Sequence, residues 1–192
     1  CRNHLHPGQL LLARPRRSRA HLTIMTKVSM HAVSAPVFVR NLNNLASMLT
    51  KAEQQAKAKG YDAAVLLSAR LAPDMFPLTK QIQIACDHAK GCVARLAGQP
   101  PEVMEDTETT FAELHARIKK VLAIVESYKP EKLEGSETRE IVIKIPNMEL
   151  KFSGIDYVTQ WAMPNFYFHA TMAYAILRHN GIELGKRDFL MS

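Results

Sequence analysis

Apolar residues recur at spacings of three and four from residue 38 onward, the repeat that places them on one face of a helix. Phe38, Leu42, Leu45, Leu49, Ala52 and Ala56 form the first stripe. It predicts a helix from about Ser34, where serine can cap and Pro36 suits the first turn, to Lys59, with Gly60 ending it. A short helix over 62–68 follows. Pro77 then opens a second long helix, striped by Leu78, Ile82, Ala85, Ala89, Cys92 and Leu96 and closed by Gly98. A third begins on a capping box, Thr110 with Glu113, and stops before Pro130. Its core face is Phe111, Leu114, Ile118, Val121, Leu122 and Val125.

The period then changes. Ile141, Ile143 and Ile145 alternate with other residues, Pro146 and Asn147 intervene, and Met148, Leu150 and Phe152 alternate with Glu149 and Lys151. Alternation on both sides of a turn predicts a hairpin. A fourth helix runs from Ser153 to Gly181, with Pro164 expected to kink it. Residues 182–192 are expected to fold back over the helices. Four main helices with long connections predict an all-α, up-down four-helix bundle, with a small β-hairpin inserted between helices three and four.

Charge changes the picture only at one end. The chain of 192 residues is 47% apolar, enough for one domain with a sizeable core, and its formal charge is +7. Five of its 25 basic residues, Arg2, Arg14, Arg16, Arg17 and Arg19, fall in residues 1–24, which hold no acid. That leaves 20 basic against 18 acidic side chains, too even a balance for the clustered basic face of a nucleic-acid-binding surface. Residues 1–24 lack an apolar period and contain Pro7 and Pro15, and they read as a disordered basic extension. Translated upstream sequence, an Arg-rich mitochondrial targeting segment and a functional arm are the readings they leave open. Residues 25–192 read as a single helical domain.

Tyr157 to Leu177 carries no formal charge and has the length of a membrane span. Gln160, Pro164, Asn165 and His169 interrupt it and no second such stretch exists, so it reads as the buried helix of a bundle. Cys86 and Cys92 lie six apart on one helix and point away from each other. They read as small buried hydrophobes in a reducing, cytoplasmic setting.

One polar constellation stands out. On a wheel of 100° per residue, Val158, Ala162, Asn165, His169, Ala173 and Ile176 share the core-facing direction of helix four. Burying Asn165 and His169 there without partners would cost about 1–3 kcal/mol each. A tyrosine hydroxyl, a backbone carbonyl or a buried water would satisfy them structurally; a ligand or metal pocket would satisfy them functionally. Asparagine is a poor ligand for soft divalent ions. On helix two, His88 and Gln81 share one flank of the stripe, while Asp87 lies on the far side, solvated or paired with a neighbouring helix. His115 and His179 have less support as site residues, and Cys86 has no base placed beside it, its thiol being one that burial makes less acidic. The chain holds no phosphate-cradling glycine loop, nucleophile elbow or HExxH motif.

Six segments together resemble a known family: ArgLeuAlaProAspMetPhePro at 70–77, GlnIleAlaCysAspHisAlaLysGly at 83–91, AspThrGluThrThrPheAlaGluLeu at 106–114, ProAsnPheTyrPheHis at 164–169, AlaTyrAlaIleLeuArgHisAsnGly at 173–181 and LeuGlyLysArgAspPheLeu at 184–190. They are similar to domain of unknown function family one-nine-nine-three, of the DinB/YfiT-like superfamily of four-helix bundles, over roughly residues 28–190. The resemblance implies no assigned activity. Superfamily relatives bind a divalent metal through one histidine on helix two and an HxxxH pair on helix four, and some are thiol-dependent transferases or isomerases. Alignment on the downstream ArgHisAsnGly puts the second histidine of that pair at His169 and the first at Asn165. The helix-two position falls among Gln83, Asp87 and His88. One of three histidines is clearly kept. Two readings follow: a non-catalytic or small-ligand-binding module with a degenerate metal site, with a second copy as the other partner class, or a metal- or thiol-dependent transferase or isomerase using His169 with His88 or Asp87.

Overall fold

The computed structural model describes residues 28–191; the extension over 1–24 lies outside the described residues. Each apolar stripe becomes a helix with that stripe turned inward. In α1 (Ala35–Lys59) all six stripe residues from Phe38 to Ala56 are sealed from solvent. Ser34 does not cap it: the hydroxyl donates instead to the Met30 carbonyl at 2.6 Å. α2 (Leu78–Leu96) starts directly after Pro77 and buries its whole stripe. At α3 (Phe111–Ser127) the capping box forms, with Glu113 N–H donating to Thr110 Oγ1 at 3.2 Å and Thr110 N–H to Glu113 Oε2 at 2.9 Å.

The fourth helix, α4, covers 154–179 as an α-helical turn (Gly154–Asp156), a π-helical stretch (Tyr157–Ala162) and a longer α-helix (Met163–His179). The irregularity expected at Pro164 therefore sits on its N-terminal side. Pro164 offers no N–H to the Gln160 carbonyl and its ring crowds that oxygen, which a wider i→i+5 turn relieves. The wider turn also rotates the two halves of the helix relative to a 100° wheel. Phe166, fully buried, holds the centre of the inward face, and Asn165 is displaced to its half-buried edge.

α2 packs mainly on α4 and α3, and α1 on α3, with α4 also meeting α1. Phe38 of α1 meets Phe166 of α4 edge-on at 5.0 Å between ring centroids. Side chains of this size stabilise by about 1.5–3 kcal/mol each when fully buried, so the stripes supply most of what holds the bundle.

Between α3 and α4, β1 (Ile141–Ile145) pairs antiparallel with β2 (Met148–Phe152), Ile141 opposite Phe152 and Ile143 opposite Leu150. Pro146 fixes its own φ and Asn147 takes φ 64°, the pattern of a type II turn. Ile141 and Ile143 are buried, whereas Ile145 and Met148 at the tip face solvent. The chain re-enters the bundle at Gly154 under tight contact: a Cβ there would stand 1.8 Å from the Ser136 carbonyl oxygen.

The C-terminal stretch folds back as expected. Ile182 and Leu184 are buried, and α5 (Lys186–Leu190) lies on α1. Asn44 Nδ2 donates to the Phe189 carbonyl at 2.9 Å, Lys51 pairs with Asp188, and Phe189 sits edge-on to Tyr174. Among the described residues no helix is long and apolar enough to cross a membrane.

Candidate functional site

Two polar clusters interrupt the apolar packing; four of the five sequence candidates on α2 and α4 divide between them, and the fifth, Asn165, joins neither. The first lies on the α2–α4 seam. Gln81 Nε2 donates to the Phe76 carbonyl at 3.0 Å, which turns Gln81 Oε1 toward His169 Nδ1, 2.7 Å away. A carboxamide oxygen only accepts, so Nδ1 carries the proton and Nε2 keeps its lone pair. His88 stacks beside the ring, 6.1 Å between centroids and 13° between planes. Phe168, half exposed, closes the other side edge-on at 5.2 Å. Asn165 stays out of this chain and donates to the Trp161 carbonyl of its own helix at 2.7 Å.

Burial lowers the pKa of both imidazoles. For His88 the neighbouring His169 and Arg95 add to it, against Asp87, and the result is about 4; for His169 burial is the cause. Both rings are neutral at pH 7. His169 therefore gives up its proton more readily than a free imidazole does.

The second cluster was not legible as a site. Arg117 of α3, its side chain fully buried, meets three carboxylates: Asp87 at 3.0 Å, Asp106 at 2.9 Å and Glu108 at 2.9 Å. It also donates to the Glu105 carbonyl at 3.0 Å. Gln83 donates to Glu108 at 2.8 Å, Lys80 pairs with Asp106, and Lys90 donates to the Glu102 carbonyl at 2.8 Å. Gln83 and Asp87 thus belong here and not to the histidine seam. Burial works against the charges of Glu108, Asp106 and Arg117, but the pairing wins: Glu108 and Asp106 are held below the usual carboxylate range by Arg117 with Gln83 and by Lys80 with Arg117, while Arg117 is raised by Glu108 and Asp87. Together these contacts staple the loop between α2 and α3 to both helices. The available signal was register: Arg117 stands three residues after Leu114 and four before Val121, inside the apolar arc of α3. His115 pairs separately with Glu53 of α1 at 3.0 Å.

The chemistry open to these groups is narrow. Burial pushes the Cys86 and Cys92 thiols up to about 12, so neither is a thiolate at neutral pH. A divalent metal at the seam would find one imidazole lone pair on His169, His88 beside it, and at the third position an asparagine whose amide is already turned to Trp161. That set falls short of three nitrogen, thiolate or carboxylate donors, and among the described residues no group of three His, Cys, Asp or Glu is placed to hold a metal.

The family described as Domain of unknown function (DUF1993) matches residues 30–190. No curated protein matches. A solved structure, described as a DinB family member protein from Shewanella denitrificans, is 42% identical, with a TM-score of 0.77. The match covers 84% of this chain and 92% of that one.

Proposed function

The chain belongs to the DUF1993 family, and from that footing we propose that it is a non-catalytic, small-ligand-binding bundle whose α2–α4 seam is held by hydrogen bonds rather than by a metal. The observation that carries the reading is the chain from the Phe76 carbonyl through Gln81 to His169 Nδ1, which gives the buried imidazole a structural partner and a fixed tautomer. Two further facts support it. A base with a pKa of about 4 is badly matched to proton transfer at neutral pH, and buried thiols near 12 are poor nucleophiles. The two free buried cysteines also suit a reducing, cytoplasmic setting. Kinship with a DinB family member supports the bundle and says nothing of chemistry, since function lives in sites and not in folds.

Melting curves of the parent and of His169→Ala, each with and without zinc or nickel, test the proposal. The substitution leaves Gln81 Oε1 without its donor and is expected to destabilise by about 1–3 kcal/mol, with metal changing nothing in the parent. A metal-induced rise in the parent's Tm that is lost in His169→Ala would overturn it and favour the metal-dependent transferase or isomerase reading.

A further inference from the structure

A cavity of about 340 Å³ opens beyond the C-terminal end of α2, between the loop that follows and β1. Two arginines, Arg95 and Arg139, line it. Arg95 lies back over Gly91, where a Cβ would stand 2.6 Å from its Nη1, and donates to the Tyr157 hydroxyl at 3.0 Å. Arg139 lies over Gly98, where a Cβ would stand 2.4 Å from its Nη1. Gly98 has φ 73°, so its turn already favours glycine, and the same missing side chain makes room for the guanidinium.

Neither of the two cations on this cavity has a counter-charge among the described residues. Arg117 meets three carboxylates and Lys51, Lys80, Lys90 and Lys120 each meet one, but neither Arg95 nor Arg139 pairs with any carboxylate among the described residues. Glu140 also lines the cavity, exposed, without pairing to either. The partial negative charge at the end of α2 accounts for one cation there, but not for two on one cavity. Gln99 adds a polar side chain to the lining, and Pro100, Pro101, Ile141 and Val142 supply an apolar wall. The volume is at the small-molecule scale of roughly 300–1,000 Å³.

We propose that this cavity binds a compact molecule carrying a phosphate or carboxylate group, the oxyanion held between Arg95 and Arg139 and the body of the ligand laid on the proline–isoleucine–valine wall. Planar guanidinium forks suit oxyanions in a way that a lysine point charge does not. The inference stands on a cavity that neither His88 nor His169 lines, and metal plays no part in its test, so either reading can fail alone.

The test is titration calorimetry on the full chain in phosphate-free buffer of fixed ionic strength, with phenyl phosphate, benzoate, inorganic phosphate and phenol as probes. Binding of phenyl phosphate or benzoate is expected, with phenol silent; inorganic phosphate binding more weakly than phenyl phosphate marks the contribution of the apolar wall. Arg139→Gln and Arg95→Gln should each weaken the bound probe roughly tenfold or more, and Arg70→Gln should change nothing. No binding of either aromatic anion, or affinity unchanged in Arg139→Gln, overturns the proposal. Should Arg139→Gln fail to fold, Arg139→Lys serves: a clear loss of affinity supports the guanidinium fork, and unchanged affinity overturns it.

Discussion

At His88 the folded chain holds an imidazole whose proton affinity lies far below that of the free side chain, about 4 against 6.5. The unfolded chain therefore binds more protons between those values, and stability is expected to be complete above pH 6.5 and to fall as pH drops toward 4. His169, lowered in the same direction, adds to that slope. His88→Gln should flatten the curve over this window in urea melts at stepped pH; an unaltered slope would remove His88 as its source. The polarity of this pair was legible in the sequence, because a histidine on an inward stripe must find a partner. Its partner's identity was not. Gln81 was visible only as a residue on the same flank of α2 as His88, and its donation to Phe76, which fixes the imidazole tautomer, depends on a loop without period.

At the scale of elements, regular repeats were readable and departures from them were not. α1, α2 and α3 follow from stripes and terminal residues because one period runs through each. α4 changes pitch where Pro164 forbids a hydrogen bond, and a wheel with a single angle then carries Asn165 inward when it lies at the edge. The loop between α2 and α3 is a stronger case. Its hold on the bundle comes from Arg117 facing Asp106 and Glu108 across the turn and Asp87 across the helix pair. Arg117→Ala removes the buried cation and leaves those carboxylates facing one another, so a loss of about 3–5 kcal/mol is expected in denaturant melts. Glu108 and Asp106 are held below their ordinary pKa values, so their contribution is present above the unfolded values of 4.5 and 3.8 and fades as pH falls through the lower folded ones. The variant should accordingly lose its disadvantage at the acid end. A deficit that stayed constant with pH would show that the arginine acts by packing alone.

For the whole molecule, the bundle closes over two thiols. Cys86 and Cys92 are both fully buried on α2, on different sides of the helix. No cysteine reagent reaches either sulfur until helices part, and the wait is a clock. With Cys1 replaced by serine, the rate at which iodoacetamide consumes the remaining thiols should report how often the bundle opens, not how reactive sulfur is. In the regime where closing outruns labelling, the rate should track the equilibrium constant for opening. Each tenfold gain in labelling rate then reads as about 1.4 kcal/mol of lost stability. The two sites should keep common time if opening is global. If Cys86, whose Coulombic neighbours include Arg117, Glu108 and Asp87, labels ahead of Cys92, the stapled loop lifts first and the molecule breathes from that side.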